Sequence, residues 1–122
     1  MTVSERLRDR YLQEPLAAQL GHIAGDLSRL ADHVGDIRGD EMIAGVLREV
    51  ICFLDWSIPS ADLTRAAILV ELQRALAGWG RLWRQAQAAS GPDDPMRLRR
   101  DLGNIARTWS DMVLALSGLV TE

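Results

Sequence analysis

The stretch that decides the fold is PLAAQLGHIAGDLSRLADHVGDI, residues 15–37. Its large apolar residues alternate at spacings of four and three: Leu16, Leu20, Ile23, Leu27, Leu30, Val34 and Ile37. This spacing predicts an amphipathic helix whose apolar seam faces other helices. A row of small residues runs beside the seam: Ala17, Gly21, Ala24, Ser28, Ala31 and Gly35. Small side chains let a neighbouring helix approach closely, so we expect a tight helix–helix contact along this row.

Three later segments repeat the pattern. A second helix is predicted over 40–57, and a third from an N-cap at Ser60 to a stop at Ser90, Gly91 and Pro92. The fourth begins with Asp94 as cap and Pro95 as first residue, and its seam is Leu98, Leu102, Ile105, Trp109, Met112, Leu116 and Leu119. A short leading helix is predicted at 2–13, where Thr2 and Glu5 have capping-box spacing.

These segments predict one all-α domain spanning residues 1–122, with a helical extension over 1–14 and a bundle over 15–122. Short connections favour antiparallel neighbours, hence an up-and-down four-helix bundle with an extra short N-terminal helix. The alternative is a helical hairpin that completes its bundle only as a dimer.

The third and fourth bundle helices are longer than the first two. With turns placed near 38, 59 and 92, the layer containing residue 35 also contains about residues 41, 77 and 107, so the hairpin beyond residue 78 is expected to project. Its apolar side chains would then lie in water, which is typical of an interface. The predicted interaction surface consists of Trp79, Arg81, Leu82, Trp83, Arg84, Arg97, Leu98, Arg100 and Leu102.

Charge indicates the kind of partner. Residues 74–107 contain seven Arg and three Asp, whereas the rest of the chain contains seven Arg and fourteen acidic residues. The projecting hairpin is therefore basic and the remainder acidic, which favours a homodimer or an unidentified acidic protein partner. The net charge of −3 argues against general binding to nucleic acid.

Two further features bear on location. No apolar run approaches the ~20 residues that span a bilayer, so no membrane association is expected. The lone Cys52 cannot form an internal disulfide, which fits a cytoplasmic protein.

Residues that could carry chemistry are few, and no catalytic residue, cofactor or metal is predicted. The Glu-x-x-His pattern of di-iron bundles is absent, and Cys52 is expected to be an inert core residue. Two alternatives stay open. His22, in GHIAGDLSR, could serve a histidine phosphotransfer domain, although Gly25 and Asp26 stand where such domains carry Lys and Gly. The four tryptophans could bind a pigment or another planar ligand.

The segments FLDWSIPSADLTRAAILVELQRALAGWGRLW and RTWSDMVLALSGL resemble a group of small all-helical cyanobacterial proteins without an assigned role. The resemblance implies an all-α cytoplasmic protein and transfers no catalytic residue. The residues themselves predict a non-enzymatic helical protein that acts through protein–protein interaction and self-association.

Overall fold

A computed structural model describes residues 2–88 and 95–118, which are helical almost throughout and contain no strand. The five helices are α1 (Val3–Leu12), α2 (Leu16–His33), α3 (Asp40–Ser57), α4 (Leu63–Ala88) and α5 (Pro95–Ser117). The predicted all-α class is confirmed.

Local capping signals explain several helix ends. The capping box at Thr2 and Glu5 is present, as predicted. The predicted cap at Ser60 is wrong, because Ser60 belongs to a 3-10 turn and the Asp62 carboxylate accepts a hydrogen bond from the Arg65 amide instead (3.2 Å). Pro95 begins α5, whereas the predicted stop at 90–92 and the cap at Asp94 lie outside the described residues.

The small-residue row of α2 meets α5, and this contact is the most extensive in the molecule. On α5, the matching row is Gly103, Ala106, Ser110, Val113 and Ser117, with spacing of three and four. The Ser110 hydroxyl donates to the Ala24 carbonyl (2.8 Å), and a Cβ added to Gly103 would lie 3.1 Å from Val34 Cγ1. Small residues on both helices therefore set their close approach.

The remaining helices follow in sequence around the core. The Ser57 hydroxyl donates to Gln19 Oε1 across α2 and α3, and the Gln73 amide donates to Asp55 across α4 and α3. Helix α3 therefore contacts both α2 and α4, and α4 also touches α5.

Helix α1 docks through Tyr11 at the end of α3. The Tyr11 ring stacks on Phe53 with 4.5 Å between centroids, and its hydroxyl lies 2.7 Å from Ser57 Oγ. Burial raises the pKa of Tyr11 to about 12. The N-terminal extension therefore covers the end of the molecule opposite Trp83.

Candidate functional site

The end of the molecule where α2 stops is held together by Arg99. Its guanidinium donates to both carboxylate oxygens of Asp40 (2.7 and 2.8 Å) and to the Val34 carbonyl (2.9 Å). The same guanidinium lies over the Trp83 ring, 5.0 Å from its centroid. These contacts place Val34, Asp40, Trp83 and Arg99 in one layer.

This layer corrects two predicted interface residues. Trp83 is 2% exposed and Leu102 is fully buried, so the expectation that they stand in water is wrong. The physical reason is an offset of about two helical turns: residues 83 and 99 share the layer of Val34, in place of 77 and 107. Beyond this layer, the described parts of α4 and α5 are residues 84–88 and 95–98.

Arg99 is the important residue that sequence reasoning missed, since it was counted only among the basic residues of the hairpin. The hydrogen bonds from Arg99 hold the pKa of the Asp40 carboxyl below its usual value, and Asp40 raises that of Arg99. A signal was available, because Arg99 lies four residues before Gly103 and extends the small-residue row of α5.

Several of the other predicted residues come together on the outer side of α4. A shallow depression there is lined by Arg74, Gly78, Trp79, Arg81, Leu82 and Gln85, which we call the α4 surface. It has a volume of about 450 Å³. Leu82 is 48% exposed, and the half-buried Trp79 rests on the core. The α4 surface therefore offers apolar side chains beside a concavity.

Gly78 lies in the concave part of the α4 surface. A Cβ added there would meet only the Arg81 side chain, at 3.8 Å, and one added to Gly80 would meet only Arg84, at 3.6 Å. Within one chain, nothing requires a glycine at either position.

The arginines of this region lack acidic partners. Across the described ranges, Arg74, Arg81 and Arg84 form no ion pair, and each is exposed. Exposed acidic side chains precede them: Asp55, which accepts from Gln73 of α4, and Glu71. On the exposed side of α4, Glu71 therefore precedes Arg81, with Arg74 between them.

The predicted residues of α5 do not all join this surface. Arg97 and Arg100 are exposed and Leu98 is half-buried. Arg100 lines a separate depression between α2 and α5, together with Asp32 and Arg107. The nine predicted residues therefore divide between the core, the α4 surface, the exposed side of α5 and, for Arg84, the groove between α3 and α4.

The residues singled out for chemistry are dispersed. His22 Nε2 lies 2.6 Å from a Glu14 carboxylate oxygen, and that carboxylate would repel an incoming phosphoryl group. Cys52 is exposed, so its expected core position is wrong; residues 50, 53, 54 and 57 face the core, and position 52 points away. The described residues contain no ring contact between two tryptophans.

Among the described acidic residues, Asp26 of α2 has the largest shift in pKa. Asp26 Oδ1 accepts from Arg29 (2.8 Å), whereas its Oδ2 is buried and receives no hydrogen bond. Burial, and then the neighbouring Glu49 carboxyl of α3, raise the pKa of Asp26 to about 7 despite Arg29. Protonated Asp26 can donate to Glu49, which satisfies the buried oxygen.

None of the described helices is long and apolar enough to cross a membrane. Among the described residues, no three His, Cys, Asp or Glu side chains are grouped to hold a metal ion. No family model, curated protein or solved structure matches the chain. The resemblance to small cyanobacterial proteins stays a prediction.

Proposed function

We propose that this protein is a non-enzymatic helical protein of the cytoplasm that acts through protein–protein interaction, and that its first partner is a second copy of itself. The observation that carries the proposal is the α4 surface, where exposed Leu82 adjoins an unfilled concavity at Gly78. A projecting side chain beside a hollow allows two copies to interlock across a two-fold axis, because the side chain of each copy enters the hollow of the other.

The proposed contact is an antiparallel crossing of α4 with α4 of the second copy near Gly78. Leu82 of each copy enters the hollow between Arg74 and Gly78 of the other. The absence of a side chain at Gly78 lets the two backbones approach closely, which explains a residue that costs up to about 1 kcal/mol relative to alanine in a helix.

Charge supports the antiparallel direction. A two-fold axis near Gly78 places position 71 of one copy opposite position 85 of the other. Glu71 of one copy then lies near Arg81 of the other, which has no acidic partner in the described part of its own chain. Both Glu71–Arg81 pairings occur in one isologous interface.

The proposal includes an up-and-down four-helix bundle formed by α2, α3, α4 and α5 as its rigid scaffold. The contacts α2–α3, α3–α4, α4–α5 and α5–α2 support this ring of helices. The described parts of α4 and α5 extend about one turn beyond the Arg99 layer.

Sedimentation equilibrium of wild type and Leu82→Asp tests the proposal. A buried apolar anchor replaced by a carboxylate is expected to weaken the dimer by a hundredfold or more, while the chain stays helical. Leu63→Asp is the matched control, because Leu63 is on the same helix, 90% exposed and outside the α4 surface. A dimer that survives Leu82→Asp, or dissociates equally with Leu63→Asp, contradicts this interface.

Glycine replacements separate association from folding. Gly78→Ala and Gly25→Ala both remove a flexible residue from a helix where a Cβ has room, so each is expected to raise the melting temperature of the isolated chain. Only Gly78→Ala is expected to weaken the dimer, since only Gly78 faces the second copy. Equal dimer affinity for both variants would remove Gly78 from the contact.

A further inference from the structure

The groove between α3 and α4 contains a second depression, which has the composition of a small-ligand site. Its apolar floor includes Leu47, Ile51 and Ala77, and its rim carries Arg48, Arg81 and Arg84. The cavity has a volume of about 270 Å³. It lies beside the α4 surface and shares Arg81 with it.

The charge of the rim is uncompensated. Neither Arg48 of α3 nor Arg81 and Arg84 of α4 forms an ion pair with any described residue. Three guanidinium groups around one apolar depression repel one another, and an anion held between them removes that repulsion. Guanidinium groups also bind carboxylates through paired hydrogen bonds.

The size of the cavity and its apolar floor restrict which anions can bind. The volume lies just below the usual range for ligand pockets, so the bound body is no larger than about one aromatic ring or a short branched chain. An inorganic anion would leave the apolar floor in contact with water, and a neutral apolar molecule would leave the arginines uncompensated.

We propose that this groove binds a small amphiphilic carboxylate, with its apolar body on Leu47, Ile51 and Ala77 and its carboxylate against Arg48 and Arg84. This site is independent of the proposed self-association, because Arg48, Arg84 and the apolar floor lie outside the α4 surface.

Isothermal titration calorimetry with 4-phenylbutyrate tests the site. The acid is expected to bind with saturation and at least tenfold more tightly than 4-phenylbutanol, its neutral counterpart. Inorganic phosphate is expected to bind more weakly than the acid, because it lacks the apolar body. Equal affinity of the acid and the alcohol, tighter binding of phosphate, or no saturation with millimolar acid would overturn the proposal.

Variants locate the binding within the groove. Arg48→Gln is expected to weaken binding of 4-phenylbutyrate about tenfold, and Ala77→Leu to abolish it by filling the floor. Ala67→Leu, at an exposed position of the same helix, is the control and is expected to bind as wild type. Unchanged affinity in folded Arg48→Gln would refute the site. Leu82→Asp, a monomer under the proposed function, is expected to bind the acid normally, so failure of one proposal is distinguishable from failure of the other.

Discussion

The buried carboxylate of Asp26 makes stability depend on pH in a direction opposite to that of an ordinary paired acid. In the folded protein its pKa is about 7, against 3.8 for a free side chain, so the folded state holds a proton that the unfolded state releases. Asp26 therefore stabilises the fold most below pH 4, and this contribution is lost as pH rises to about 7.

The magnitude follows from the size of the shift. About three pKa units correspond to roughly 4 kcal/mol of stability lost between pH 4 and pH 7, and about half of that is lost above pH 5.5. The Asp26 side chain is only 13% exposed, but the neighbouring Glu49 side chain is 39% exposed. Because water reaches Glu49 and weakens its effect on Asp26, a loss of about 2 kcal/mol above pH 5.5 is an upper limit.

Asp26→Asn is the perturbation that isolates this group, because an amide keeps the shape, donates to Glu49 and does not titrate. Urea unfolding of wild type and Asp26→Asn at pH 5.5 and pH 8 is the assay. The stability of the variant relative to wild type is expected to increase by up to about 2 kcal/mol between the two pH values. A difference that is the same at both would show that folded Asp26 is ionised throughout, and the account of its burial would fail.

Three further outcomes follow from the packing. Ala24→Leu overfills the α2–α5 contact and is expected to lower the free energy of unfolding by about 1–3 kcal/mol, measured by thermal unfolding. The control Ala67→Leu, at an exposed position, should change stability by less than about 0.5 kcal/mol. Equal effects of the two variants would mean that the small-residue row does not set the contact. Arg99→Met removes the ion pair of the partly buried Asp40 and is expected to cost about 2–4 kcal/mol by chemical denaturation, so an unchanged midpoint would contradict the structural role of the layer. Trp83→Ala is expected to lose about 3–5 kcal/mol in the chain itself, and a variant with wild-type unfolding but a dissociated dimer would return Trp83 to the interface.

The sequence was sufficient for the helices, because their signals are local. The seam of residues 16–34, the capping box at Thr2 and the proline at 95 each depend on neighbours within a few positions, and the structure confirms all three. The small-residue row of α2 also predicted a tight contact correctly. The sequence did not identify α5 as the helix that packs against this row, because the choice of partner depends on how the apolar faces of all four helices pack together in one core.

The site was harder to predict because its geometry depends on register between distant helices. The connection after α3 runs from Ile58 to Asp62, past the expected turn at Pro59, which shifts α4 relative to α3. Arg99 also reaches across the layer to Asp40, 59 residues away in sequence. Such shifts moved Trp83 and Leu102 into the core, while Leu82 stayed exposed as predicted.

The most direct test of self-association through α4 is fluorine NMR of the protein labelled with 5-fluorotryptophan, recorded over a dilution series. The four resonances can be assigned by single Trp→Phe replacements. The Trp79 resonance is expected to move on dilution as the second copy leaves, while that of Trp83, which is buried beneath Arg99 of its own chain, stays in place. Movement of Trp83 without Trp79, or constant spectra from a protein that sediments as a monomer at high micromolar concentration, would contradict the account.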